Sequence, residues 1–399
     1  MKPNFSGFSF DTICTHDDFF TDPIAHIQPI YAGSTFVYES PEKAMDVFAG
    51  KEDAFIYARW SNPNAALVEA KITALETLGL SASPKSALLF STGMAAISAA
   101  LESVITPNSM VIAQQDMYGA TVELLSDLSK RYPFTLVFAD FSNATQLSSL
   151  LNTSTPLSLV YAEVPSNPLL SVYNLSELSD FAHQNNAVFM VDNTLSTPYI
   201  QQPFKWGADV IVYSATKFLN GHGSALGGIV IGDSEFIKSK VLPYRKLRGA
   251  MLSATDAWLL NQGLKTLSLR LEKHASNAEY IANHLLNHPA ISNVWYPALK
   301  QNAEKQNFEK QMKNGGGVLS FELKSGFEAC IHLLKNVKIC TLTASLGTAD
   351  TLIQHPASMT HAKVNPEQRK KAGISDGMIR LSVGLENPND ILSDLISNL

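Results

Sequence analysis

The first residue that could do chemistry is a lysine that follows a short apolar run. Ser214-Ala215-Thr216-Lys217 comes directly after Val210-Ile211-Val212-Tyr213. In sheets of mainly parallel strands, ligands gather beyond the carboxyl ends of the strands. An amine placed there can capture an aldehyde cofactor as a Schiff base. The hydroxyls of Ser214 and Thr216 suit a phosphate. A lone lysine after a strand is more often a solvated surface group, but Asp192 shifts that balance. It ends the preceding run Val188-Phe189-Met190-Val191, so two strand ends would present an acid and a lysine. A carboxylate beside a pyridine nitrogen keeps it protonated, which makes pyridoxal 5'-phosphate (PLP) an electron sink. Taken alone, Asp192 before Asn193-Thr194 also fits a turn or a helix cap.

Further residues extend the pattern. Ser91-Thr92-Gly93-Met94-Ala95-Ala96 follows the run Ala87–Phe90 and opens a helix. Gly93 lets backbone approach a ligand, and a helix N-terminus offers free N–H groups to a phosphate; an ordinary strand-to-helix turn reads the same way. Tyr118, in Gln115-Asp116-Met117-Tyr118-Gly119, could stack on a planar ring and move protons. Asn167, in Glu163-Val164-Pro165-Ser166-Asn167-Pro168, could bond a ring substituent or cap its turn. Arg59, in Tyr57-Ala58-Arg59, suits bidentate phosphate binding, and Arg380 suits a carboxylate.

Other patterns carry less. Gly221-His222-Gly223-Ser224-Ala225-Leu226-Gly227 lacks the dinucleotide spacing and follows a lysine rather than a strand. Cys14, His16, Asp17 and Asp18 read as an acidic turn rather than a metal cluster. His355 and His361 do not have the spacing that puts two zinc ligands on one helix face. No metal is expected.

These residues need a scaffold, and the hydrophobic pattern supplies one. Seven short apolar runs, Ala87–Phe90, Met110–Ala113, Leu136–Phe138, Leu157–Ala162, Val188–Val191, Val210–Tyr213 and Leu226–Ile231, stand between amphipathic segments such as Met94–Val104, Thr121–Tyr132 and Leu175–Gln184. That alternation predicts an α/β fold with a mainly parallel seven-stranded sheet covered on both faces. Residues 1–60, rich in turn residues, read as an N-terminal arm, and 61–255 as the cofactor-binding domain. Residues 256–399 read as a smaller C-terminal α+β domain. It would open on one long helix, Asp256–Ala282, and contain strands at Ser292–Tyr296, Gly317–Glu322 and Met378–Leu385.

Composition narrows the function classes. The 399 residues are 45% hydrophobic, enough for a large core, and the net charge is -6. That charge, with no basic block, argues against nucleic acid or an anionic membrane as partner. No run approaches the roughly 18 apolar residues of a membrane span. The N-terminus lacks a signal-peptide core, and three cysteines without a CxxC pair suit free thiols in the cytoplasm. On that reading the sequon Asn143-Ala144-Thr145 carries no weight.

Together the segments resemble the Cys/Met-metabolism family of PLP-dependent enzymes over nearly the whole chain. The resemblance rests on Tyr57 to Pro63, Ser91 to Ile97, Tyr118-Gly119, Glu163 to Pro168, Val191 to Thr194 and Ser214 to Lys217. Further on it rests on Gly263 to Leu267, Ser345-Leu346-Gly347, His355 to His361 and Arg380 to Gly384. It implies the type I, aspartate-aminotransferase-like fold and a homotetramer built as a dimer of dimers. Tyr57 and Arg59 would then reach the phosphate held by a neighbouring subunit, and Gly93, Met94, Ser214 and Thr216 would hold it from the home subunit. Tyr118 would stack on the ring, Asp192 would face its nitrogen and Asn167 its oxygen. Ser345 and Arg380 would position the carboxylate of a small amino-acid substrate.

The resemblance further implies γ-elimination or γ-replacement on a sulfur amino acid or an O-acylhomoserine, with Lys217, Tyr118 and Asp192 catalytic. Ala344 stands where enzymes using cystathionine often have Glu. Ala120 and Lys246 stand where methionine γ-lyases carry Cys and an acidic residue, and Ser224 where many members have Asp. The segment His355–His361 sits close to the methionine γ-lyase pattern, which makes that activity the first expectation. O-acylhomoserine sulfhydrylase and cystathionine γ-synthase are the alternatives. A non-catalytic PLP-binding protein and a nucleotide-binding α/β protein are the readings from other classes.

Overall fold

The computed structural model describes residues 5, 7–17, 24–81, 83–142, 147–151, 155–362 and 366–399. Asp18 and the sequon Asn143–Thr145 lie outside them.

The runs rich in Val, Ile and Leu form one seven-stranded sheet. Its strands are β1 (Lys85–Phe90), β2 (Met110–Gln114), β3 (Thr135–Ala139), β4 (Leu157–Glu163), β5 (Val188–Asp192), β6 (Val210–Ser214) and β7 (Gly228–Asp233). The order is β1-β7-β6-β5-β4-β2-β3. β3, β2, β4, β5 and β6 pair in parallel, whereas β7 runs antiparallel to both β6 and β1. The sheet is therefore mainly parallel, as its unbroken apolar runs predict. Alternate residues feed two separate cores: Val191, Ile211 and Ile229 pack on one face, Met190, Val212 and Val230 on the other. Each fully buried aliphatic side chain contributes roughly 1.5–3 kcal/mol.

A second, five-stranded sheet follows. It consists of β8 (Ile291–Trp295), β9 (Val318–Leu323), β10 (Thr341–Leu342), β11 (Leu352–Gln354) and β12 (Met378–Ser382), ordered β10-β11-β12-β9-β8. Three of these strands match the expected ones with ends shifted by a residue or more. β10 and β11, two and three residues long, are too short to leave a period.

One local expectation changes. The single helix over Asp256–Ala282 is two helices, Ala254–Leu264 and Leu267–Leu286. Arg270 accounts for the break: its guanidinium takes the carbonyls of Gly263 (2.6 Å) and Phe218 (2.9 Å). Gly263 also lies so close to Asn220 that a Cβ would sit 2.2 Å from its carbonyl oxygen. The apolar period continues across the two-residue joint, so it does not reveal the break. The N-terminal segment contains the helices Phe10–Thr15 and Pro41–Phe48. Asp17, one of the residues weighed as a metal ligand, instead pairs with Lys71 and Lys265, both at 2.6 Å. That buried pair ties the segment to the helix Pro63–Glu76 and to the joint at Lys265. No described helix is long and apolar enough to cross a membrane, and the three cysteines are buried and unpaired.

Candidate functional site

The chemistry-bearing residues lie where the parallel strands end. Asp192 closes β5, Glu163 closes β4 and Ser214 closes β6. The turn after β6 presents Lys217, whose backbone N–H returns to the Ser214 carbonyl at 3.2 Å. The parallel register pairs Glu163 with Asp192, which puts two carboxylates side by side on one face of the sheet.

Each candidate has definite partners. Lys217 Nζ donates to Ser345 Oγ at 3.3 Å. Burial, helped by the Arg380 charge, brings the lysine from 10.5 down to about 8, so roughly a tenth is neutral amine at pH 7 and about half at pH 8. Asp192 Oδ1 accepts the Thr194 amide at 3.0 Å, and Oδ2 faces the Tyr161 hydroxyl at 3.4 Å. Burial raises both Asp192 and Glu163, and the Asp192 charge raises Glu163 further, so the two neighbouring carboxyls resist carrying two charges at once. Glu163 Oε2 also accepts the Tyr118 amide at 2.9 Å, and the helix Gly119–Arg131 starts there. Burial and Glu163 raise the Tyr118 phenol, so it stays a proton donor.

Arg380, 2% exposed on β12, donates to Asn167 Oδ1 (3.1 Å) and to the Ser345 carbonyl (2.7 Å). Its Nε is buried without a partner, and no carboxylate of the described residues pairs with it. A buried guanidinium held by neutral acceptors is prepared for an anionic ligand. Ser345 therefore links the lysine to the arginine.

The residues present fit PLP. The helix Gly93–Val104 is capped by Thr92, whose hydroxyl accepts the Ala95 amide at 3.0 Å. The amides of Gly93 and Met94 are the first of that helix, with no acceptor inside it. A Cβ on Gly93 would lie 2.7 Å from the Cβ of Ser214, so glycine alone lets the helix start meet the β6 end, leaving amides and a hydroxyl together for a phosphate. Thr216, expected at the phosphate, is also engaged within the chain. Its hydroxyl accepts the Gly227 amide (3.0 Å) and donates to the Gly227 carbonyl (3.3 Å), bracing the β6–β7 connection.

Tyr57 and Arg59 do not join this cluster. Arg59 lies 5.3 Å from the Tyr57 ring centroid and donates to the Lys246 carbonyl. Arg59 belongs to a rim with Trp60 and the helix Leu242–Arg248, and Tyr57 stands beside it. Sequence reasoning also passed over Glu163, Tyr161 and Asp116 as functional groups. The available signal was the spacing of Tyr161 and Glu163, two apart on one strand and so on the same face as Asp192. His361 is buried against Thr360, and burial pushes it down to about 4. His355 braces its own turn through Ser358 Oγ (2.8 Å) and the Asp376 carbonyl (2.9 Å).

A lysine and a carboxylate on neighbouring strand ends, over an open helix N-terminus, belong to an α/β enzyme that works through PLP. The family of Cys/Met metabolism PLP-dependent enzymes matches residues 11–399, and this chain belongs to it. The chain is 42% identical over 373 residues to the L-methionine gamma-lyase of Fusobacterium nucleatum subsp. polymorphum, covering 93% of this chain and 92% of that one. It is 34% identical over 389 residues to the cystathionine beta-lyase of Coxiella burnetii, covering 96% of each. Among solved structures, the cystathionine gamma synthase of Xanthomonas oryzae pv. oryzae, in complex with aminoacrylate and cysteine, superposes with a TM-score of 0.90 at 33% identity. That match covers 98% of this chain and 97% of that one.

Proposed function

We propose that this enzyme performs γ-elimination on methionine or a close analogue, with Lys217 as cofactor anchor and proton carrier. The similarity to L-methionine gamma-lyases over more than nine-tenths of the chain carries the substrate class. Ala344 agrees with it. An acidic group there would pair with the distal ammonium of cystathionine, and Ala344, exposed on this chain, offers it no such partner.

When bound, PLP supplies an electron sink for negative charge developing at the substrate α-carbon. Arg380 grips the substrate carboxylate, with Ser345 beside it. Lys217, its charge disfavoured by burial and Arg380, moves the α-proton and then removes a β-proton, and the electron pair left at the β-carbon expels the γ-thiolate. Asp192 stays anionic and holds a proton on the nitrogen facing it. Tyr118 covers the ring and, as a phenol, gives a proton to the departing thiolate. Asn167 orients Arg380 and faces the ring oxygen. Gly93, Met94 and Ser214 hold the phosphate from the home subunit, with Thr216 shaping the turn. Tyr57 and Arg59 complete that cradle in a neighbouring subunit of a homotetramer, and the cytoplasm suits its three unpaired thiols.

γ-Replacement on an O-acylhomoserine is the second reading, favoured by Lys246 and Ser224 and by the fold match to a cystathionine gamma synthase. The two part on a panel of methionine, cystathionine, homocysteine and O-acetyl- and O-succinylhomoserine, each with and without sulfide or cysteine. Oxoacid release from methionine as the highest kcat/KM is expected. A highest value for thiol-dependent consumption of an O-acylhomoserine would establish replacement instead, and preferred breakdown of cystathionine would overturn the argument from Ala344.

A further inference from the structure

Carboxylates stand at or just past the ends of three neighbouring strands: Asp192 on β5, Glu163 on β4 and Asp116 beyond β2. The first two have roles above, but the third has none. Asp116 is 4% exposed and forms no ion pair among the described residues. Its oxygens are both occupied by hydroxyls. Oδ1 accepts from Tyr173 at 2.6 Å, and Oδ2 accepts from Ser166 at 2.7 Å. Short hydroxyl-to-carboxylate bonds of this kind are about twice as strong as neutral ones.

What Asp116 holds is a loop that closes on itself. Ser166 Oγ accepts the Ser171 amide at 3.0 Å, and the Ser166 amide donates to the Ser171 carbonyl at 3.1 Å. The next residue is Asn167, whose Oδ1 accepts from Arg380. The Pro168 carbonyl accepts from Ser320 on β9, opposite Arg380 in the sheet register. A continuous chain of bonds therefore runs from Asp116 through Ser166 to Asn167 and on to the guanidinium. Two of the arginine's nitrogens are engaged by Asn167 and Ser345, so Asn167 is one of the two groups that set the plane of the fork.

We propose that Asp116 is a positioning residue for the substrate carboxylate, acting through Ser166 and Asn167 on the orientation of Arg380. Asp116 also lies two residues before Tyr118 in the same turn. One buried carboxylate thus ties the residue over the ring to the residue that grips the substrate. The inference rests on the reading of Arg380 as the carboxylate clamp.

The test uses the PLP-loaded enzyme and two unreactive probes, both followed by the change in cofactor absorption. L-Norleucine has the α-carboxylate; n-pentylamine has the amine without it. Ser166→Ala removes both bonds of the Ser166 hydroxyl, the one to Asp116 and the one from the Ser171 amide, and it is expected to weaken L-norleucine about tenfold while leaving n-pentylamine within twofold. Asp116→Asn should do the same, and Tyr173→Phe less. Adding Ser166→Ala to Arg380→Ala should change nothing further, because the two act in series. Equal weakening of both probes by Ser166→Ala, or of neither, overturns the proposal while the clamp stands. If instead Arg380→Ala binds L-norleucine as tightly as the unmodified enzyme, the clamp reading falls, and this inference with it.

Discussion

Two regions of the molecule carry polar residues expected to serve one cofactor, and they are built in opposite ways. At the strand ends the groups are buried or half-buried and bonded to one another: Asp192 to Thr194 and Tyr161, Arg380 to Asn167 and Ser345, Lys217 to Ser345. At the rim, Tyr57 is exposed and Leu247 is 84% exposed. There Arg59, Trp60, Lys238, Leu242, Pro243, Lys246 and Leu247 line an open cavity of about 360 Å³. Three cations border it and no carboxylate. Lys246 rests over Trp60 at 4.8 Å, a contact worth about 0.5–1 kcal/mol at an exposed site. The contrast separates a half-site that one chain finishes by itself from a set of groups directed outward. Large apolar side chains exposed on the same N-terminal segment, Val37, Met45 and Phe48 among them, suit a surface that another chain covers.

The strongest way to break the first half of that contrast is Lys217→Ala. The one amine serves as anchor and as proton carrier, so turnover should fall by at least roughly 10⁴-fold while the circular dichroism spectrum and melting temperature stay close to the parent's. Turnover within a few-fold of the parent would remove Lys217 from the mechanism. Borohydride treatment of the parent should fix the cofactor on the peptide containing this residue. Asp192→Asn comes next, because an amide cannot hold a proton on the facing nitrogen as a carboxylate does. Cofactor binding should persist, and exchange of the substrate α-proton in heavy water should slow by roughly 10²- to 10³-fold. Exchange at the parent's rate would leave Asp192 as a turn former only.

The rim yields to a different experiment. Arg59→Ala should weaken PLP retention about ten- to a hundredfold, the range of one lost charged hydrogen bond. Mixed with Lys217→Ala chains, it should recover part of the activity that neither variant has alone. A mixed dimer would contain one site with both residues intact. Mixtures that stay inactive after subunit exchange has been verified by mass spectrometry would place the rim outside the cofactor's reach.

How much of this was legible in the sequence follows the same division. Lys217, Asp192 and Gly93 were legible because each follows an apolar run, and strand ends are where a parallel sheet offers its ligands. The seven strands were legible because burial on both faces leaves unbroken runs of Val, Ile and Leu. Residues whose role depends on a partner distant in the chain were not. Asp116 meets Ser166 and Tyr173 across 50 and 57 positions, and no spacing rule connects them. Glu163 meets Asp192 only through the β4–β5 register, and burial together with that neighbouring charge raises its pKa. The Thr216 hydroxyl looked free until β7 brought Gly227 against it. The break at Lys265–Thr266 depends on Arg270 reaching back to Gly263, which leaves the apolar period in phase.

The smallest expected effect sharpens the electrostatics inside the buried half. Burial is the main reason Lys217 lies at about 8 rather than 10.5, and the Arg380 charge is the second. Arg380→Gln removes only the second cause, so the lysine should move back up, by less than about one unit. A higher pKa leaves less neutral amine at pH 7.5, so PLP uptake by the cofactor-free protein should slow roughly threefold there. The two proteins should converge above pH 10, where both lysines are neutral. Stability has the same sign. A lysine whose pKa is lowered by folding costs stability below pH 8, and the cost fades as pH rises from about 8 to 10.5. Arg380→Gln should flatten that slope in denaturation curves taken across the interval. An uptake profile that does not move, or one that moves to lower pH, would mean that the arginine charge does not act on Lys217.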